Sequence, residues 1–281
     1  MSIWRRSWFL WSAEILIFVI CCLAAWRLVE DRVTGNKTYI AMPEDFVVTP
    51  APQWIRADIK RQVLQNASLD SGVSILDEDL VQRVADAFPL HPWVEGVTRV
   101  HKQHPARVTV ELTYRQPVAM VVVPGGLYAV DSHGVLLPSE DFVSEEAARY
   151  PRVSGMRVPP QGQVGDAWGD GQVEAACRLA AILQEQWNGW GLARIEPSPT
   201  QATGDPRFDL ITRSGARISW GNAPTADALR ASKTDVRLEL LSQFARQHGS
   251  LDAQGAEQLD LSAAKASARQ AMSGNSGQRL Q

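Results

Sequence analysis

Between Trp8 and Trp26 the chain carries one block of 19 mostly apolar positions, unbroken from Ile15 to Ala25, and no comparable block follows it. At about 1.5 Å of rise per residue, a helix of that length covers roughly 28 Å, close to one bilayer hydrocarbon core. Trp4, Trp8, Trp11 and Trp26 stand near its two ends, where indole rings favour the membrane interface. Arg5 and Arg6 precede the block, so a cytoplasmic N-terminus is expected, with the bulk of the chain outside the cytoplasm. Ala24 and Ala25 would suit a cleaved signal peptide, but Trp26 and Arg27 follow at once and the Trp8–Trp11 turn lengthens the span. The pattern therefore predicts a cytoplasmic tail over 1–7 and a retained single-pass transmembrane anchor over 8–29. Glu14 is its one acidic member, expected near the interface.

The polar and apolar positions beyond the anchor divide into three stretches. Residues 30–52 carry Gly35, Pro43, Pro50 and Pro52 without sustained periodicity, and predict a spacer. Residues 53–116 predict a βααββ unit. A strand is expected over 54–59 and a helix over 60–67. A second helix over 79–88 has Leu80, Val84 and Phe88 on one face and ends at Pro89. A strand over 94–103 and a turn at Pro105 follow. The strand over 107–114 alternates cleanly, with Val108, Val110, Leu112 and Tyr114 against Arg107, Thr109, Glu111 and Thr113. Residues 117–262 predict a mixed, mainly antiparallel β domain with packed helices. Its strands are expected at 118–123, 127–130 and 135–137, and a hairpin at 208–220 turns on Ser214 and Gly215. Helices are expected over 173–187 and 226–247, and a last short strand over Gln258–Leu261. Residues 263–281, rich in Ala, Ser, Gly and Gln, predict a disordered tail. The fold class is thus α+β with one N-terminal transmembrane helix.

The chain's 281 residues have a net charge of −3, which argues against a nucleic-acid partner. One cysteine, Cys177, lies outside the anchor, so neither an intrachain disulfide nor a thiolate metal site is expected there. Its place in an apolar helical pattern predicts a buried, inert thiol. No glycine-rich phosphate loop, zinc-protease helix or G-x-S-x-G elbow is present. His101 and His104 have ligand-like spacing, but on a strand and turn they point apart. Asp131 and His133 fit a turn, with Asp131 bonding the backbone two residues on, better than an acid–base pair. No catalytic residue, cofactor, metal or small-molecule substrate is therefore expected, and the prior moves toward a protein that binds other proteins.

A series of short motifs resembles one family. His91-Pro-Trp-Val94, Val97, Val100, His104-Pro105, Val108-x-Val110 and Arg115-x-Pro-Val-Ala119 are similar to the end of the POTRA domain of bacterial cell-division proteins of the FtsQ/DivIB family. Tyr128-Ala-Val-Asp131-x-x-Gly-Val-Leu136, Tyr150-Pro-Arg-Val-Ser-Gly155, Phe208-Asp-Leu210, Ile218-Ser-Trp-Gly221 and Leu259-Asp-Leu261 resemble segments of its β domain. Departures are Tyr114 where the family often has Glu, Ser262 in place of Arg, and an Ala/Ser tail in place of an aromatic segment. The resemblance implies a non-catalytic scaffold of septum assembly in the cell inner membrane, with its bulk periplasmic. It also implies a coiled-coil partner pair of the FtsB/FtsL type. A partner strand could add to an exposed edge, expected at Gln258, Leu259, Asp260 and Leu261, with a second docking edge at Val108 and Val110. Two rivals stand beside it: a POTRA-bearing protein of secretion or outer-membrane assembly, which should carry barrel strands, and an anchored envelope enzyme, which should have a pocket of convergent ionisable groups.

Overall fold

The computed structural model describes residues 18–22, 24, 37–199, 205–224, 232–252 and 261. Residues 18–22 and Ala24 are helical, and the remainder of the expected anchor lies outside the described residues. Among the described residues no helix is long and apolar enough to cross a membrane. The chain forms two compact units. One takes in residues 1–51 and 58–113; the other takes in 52–57 and 114–281.

In the first unit, a two-stranded ribbon pairs β1 (Ile40–Ala41) with β3 (Val73–Ser74). A three-stranded sheet has the order β2 (Phe46–Val48), β5 (Arg107–Tyr114), β4 (Val94–Gln103). Helices α1 (Ile59–Asn66) and α2 (Leu80–Ala87) lie between β2 and β4 in sequence. Asp58 opens α1, its carboxylate accepting from the Arg61 N–H at 3.1 Å. Ile59, Val63 and Leu64 turn inward from α1, and Leu80 and Val84 from α2. Both helices match the apolar spacing within one residue.

The first strand differs from the sequence reading. Trp54 sits in a turn, and the strand that joins the sheet is Phe46–Val48, inside the stretch read as a spacer. Its aromatic and β-branched residues run parallel to β5, Phe46 facing Val108 and Val48 facing Val110. Pro43 and Pro50 mark its limits; they punctuate a short strand here rather than signalling its absence.

The second unit is built on a six-stranded sheet of order β11 (Arg217–Asn222), β10 (Arg207–Thr212), β9 (Leu192–Pro197), β8 (Arg152–Val153), β6 (Ala119–Val123), β7 (Gly126–Val130). The pairs β6–β7, β9–β10 and β10–β11 are antiparallel, while β6–β8 and β8–β9 are parallel. The short helix α3 (Ser144–Ala147) precedes β8, and α4 (Gly171–Leu183) and α5 (Ser232–His248) are the larger helices. Asp170 caps α4 through the Gln172 N–H at 2.7 Å. Val173, Ala176, Cys177, Ala180 and Leu183 of α4 join Leu241 and Ala245 of α5 in one core with Val121, Ile195, Phe208, Leu210 and Trp220 of the sheet. Residues 135–137, read as a strand, make only isolated bridges, Val130 to Leu136 and Val135 to Ala167. Strands β8 and β9 were not legible: β8 has two residues, and β9 breaks alternation at Arg194 and ends on Pro197.

Candidate partner-binding edge

The sheet edge formed by β11 is organised by its hairpin with β10. Gly215 turns the chain with φ +93°, and the Thr212 N–H bonds the Ala216 carbonyl at 3.0 Å. Asp252 clamps the turn from outside, its carboxylate accepting from the Ser214 N–H at 2.6 Å. Those bonds from Ser214, with the nearby Arg213 charge, hold the Asp252 carboxyl below its usual value.

The edge is then met by a residue far along the chain. The Leu261 N–H donates to the Ser219 carbonyl at 2.9 Å, and its side chain is 1% exposed within the core. Arg237 of α5 fixes that contact. Its Nε–H donates to the Leu261 carbonyl at 3.1 Å and its Nη1–H to the Asn222 carbonyl at 3.0 Å. Its guanidinium lies 5.3 Å from the centre of the fully buried Trp220 ring. One cation thus ties helix, edge strand and returning chain together.

The opposite face of the same strands carries an ionic ladder. Arg217 bonds Asp209 and Glu196, both at 2.8 Å, and Arg194 bonds Glu196 as well. Burial alone would raise the Glu196 carboxyl, but the hydrogen bonds from Arg194 and Arg217 bring it below its ordinary value.

Of the residues singled out in the sequence, Gln258, Leu259 and Asp260 lie outside the described residues. Leu261 is at the edge, but its side chain belongs to the core rather than to a contact surface. Val108 and Val110 are 0% and 1% exposed on the middle strand of their sheet. They are not a docking edge, because β2 and β4 occupy both sides of β5. The alternation was read correctly as a half-buried strand; its position in the sheet depended on a strand that pattern alone concealed.

The remaining candidates separate. His101 bonds Gln103, and His104 stacks edge-on against Tyr39 at 5.7 Å. Asp131 accepts from the His133 and Val135 N–H groups, both at 2.9 Å, and from Arg115 at 2.8 Å. Its carboxylate faces backbone and arginine, not the His133 ring, as a turn requires. Among the described residues no group of three His, Cys, Asp or Glu is placed to hold a metal. Cys177 is fully buried, and burial first, with the charges of Asp131 and Glu174, pushes its thiol far up. Arg237 and Asp252 were missed in the sequence. Each acts across more than 20 positions on a backbone group, and such contacts leave no periodic signal.

No family model matches the sequence. Cell division protein FtsQ of Myxococcus fulvus is 28% identical over 196 residues, covering 67% of this chain and 60% of the relative. The chain therefore matches less than two thirds of that relative's length. Among solved structures, the major extracytoplasmic domain of the cell-division protein DivIB from Geobacillus stearothermophilus is similar at 17% identity, over 43% of this chain and 89% of that one. Its TM-score of 0.27 is too low to carry an argument.

Proposed function

From the chain's kinship with the FtsQ/DivIB family of cell-division proteins, we propose that it is a non-catalytic, membrane-anchored scaffold of septum assembly. The sequence relative supports the role in division. The anchor over 8–29, a POTRA-like role for the first unit and a periplasmic location belong to the proposal, as does a coiled-coil partner pair of the FtsB/FtsL type.

The observation that carries the reading is the clamped edge at β11. Leu261 donates its N–H to the Ser219 carbonyl, and Arg237 holds the Leu261 carbonyl, so the returning chain is anchored beside β11 at this residue. A partner strand there would add main-chain hydrogen bonds to a sheet held from behind by Arg237. The Asp260→Pro variant would remove one main-chain donor next to this anchor and keep the Leu261 N–H.

The test is localisation of a fluorescent fusion in dividing cells, with capture of membrane partners by the full chain. Mid-cell enrichment, with a small bitopic coiled-coil protein captured by the wild type and lost in Asp260→Pro at unchanged melting temperature, is the expected result. Uniform envelope signal with secretion or outer-membrane components captured would overturn it.

A further inference from the structure

Helix α5 presents Asp235 and Glu239 one turn apart, beside an open cleft of about 630 Å³ whose floor includes Trp190 and Leu238. Glu185 lies on the same rim. Arg246 is the cation in the lining, and it is paired to Glu239 at 2.7 Å, with both side chains about two-thirds exposed. Among the described residues neither Asp235 nor Glu185 has an ion pair, so the rim keeps two carboxylates in excess. An apolar floor under an acidic rim fits a basic segment with small apolar side chains.

The chain supplies such a segment. Residues 262–281 contain Lys265, Arg269 and Arg279 and no Asp or Glu. Lys265 and Arg269 have the same four-residue spacing as Asp235 and Glu239. In a helical turn, Ala268 and Met272 fall beside them. The root of the segment is fixed, because Arg237 of α5 holds the Leu261 carbonyl. Arg237 lies about 200° round the helix from Asp235 and Glu239. The way round a helix about 10–12 Å across is half its circumference, about 16–19 Å; four extended residues reach about 13 Å, and the lysine and carboxylate side chains span the remainder.

We propose that residues 262–272 cross α5 and lie in this cleft, with Lys265 and Arg269 against Asp235 and Glu239 and Met272 over Trp190 and Leu238. The segment would then hold the root at Leu261 against β11 from its far side, adding to the Arg237 clamp.

The experiment is zero-length carbodiimide cross-linking of the full chain in detergent at low salt, read by peptide mass spectrometry. The expected product joins Lys265 to Asp235, Glu239 or Glu185 within one molecule, and it fades at high salt. Trypsin cleavage after Lys265 and Arg269 should be roughly fivefold faster in an Asp235→Asn, Glu239→Gln variant, as for the loss of a weak charge contact. That variant should keep its helical circular dichroism, since both positions are exposed. Lys265 linked only to other carboxylates, linked only between molecules, or not linked at all would overturn the proposal. Unchanged cleavage in the double variant would overturn it too.

Discussion

The two larger sheets place their most telling strands differently, one at the centre and one at the edge. In the first unit the best-patterned strand, β5, is enclosed by β2 on one side and β4 on the other. In the second unit the edge strand β11 is met, among the described residues, by the returning Leu261, which Arg237 secures. Enclosure makes β5 a load on folding: its valines face a core and contact nothing outside it. At the clamped edge Leu261 packs inward, and its main chain is bonded to β11 and to Arg237. A clean alternating strand therefore says where a core is, and it does not by itself mark a sheet edge.

Substitutions at the two places sharpen this contrast. Val108→Glu places an unpaired carboxylate in the centre of the first sheet. The expected cost exceeds about 4 kcal/mol and is enough to unfold a domain of ordinary stability. Denaturation followed by tryptophan fluorescence checks it. A variant that melts like the wild type but fails to capture partners would restore β5 as a surface. Leu261→Ala removes a buried side chain from the second core, with an expected loss of about 2–4 kcal/mol in the same assay. No measurable loss would mean that the returning chain rests on the sheet without packing into it.

Arg237→Met keeps the bulk over Trp220 but abandons two carbonyl acceptors. It should cost about 1–3 kcal/mol, with Arg237→Lys recovering only part, since a lysine cannot present two donors in a fixed fork. Equal stability of the methionine variant and the wild type would show that Leu261 holds the edge unaided. The smallest effect is expected at Asp252. Its carboxyl is held below the ordinary value in the folded chain, so it stabilises the hairpin above about pH 4 and ceases to do so as pH falls through the depressed value. The urea midpoints of Asp252→Asn and wild type should therefore differ at pH 6, and the difference should shrink as the pH falls below about 4. A difference that stays constant into strong acid would assign the effect to shape rather than charge.

What was legible in the sequence follows from the range of each interaction. Helices α1, α2 and α4 and strands β5, β6 and β7 announce themselves because repeated apolar positions bury one face against a nearby partner. The turn at Asp131 was legible because its bonds reach only two and four residues. Strand β2 was concealed because three residues between prolines have no room for a period, and its pairing lies some 60 positions away. β8 has two residues, and parallel neighbours leave no hairpin signal around it. The edge was legible only in part. Leu259-Asp-Leu261 could be read as a strand-like motif, whereas the inward burial of Leu261 and the clamp by Arg237 are properties of the folded chain alone.

The assignment of Pro52–Ala57 to the second unit bears on the order in which the protein can be made. The Trp54 indole N–H bonds the Arg115 carbonyl at 3.3 Å, and Arg56 pairs with Glu146 at 3.0 Å. These six residues leave the ribosome before most of the first unit exists, yet their partners emerge only after it is complete. At about 5–20 residues per second, the wait for Arg115 alone is several seconds. Until then the segment has only its own turn, closed by the Ile55 N–H on the Pro52 carbonyl at 3.0 Å, and neither of these two partners. The first unit must therefore close around a gap in its own chain, and a fragment cut at residue 114 would arrive without a piece that was synthesised first.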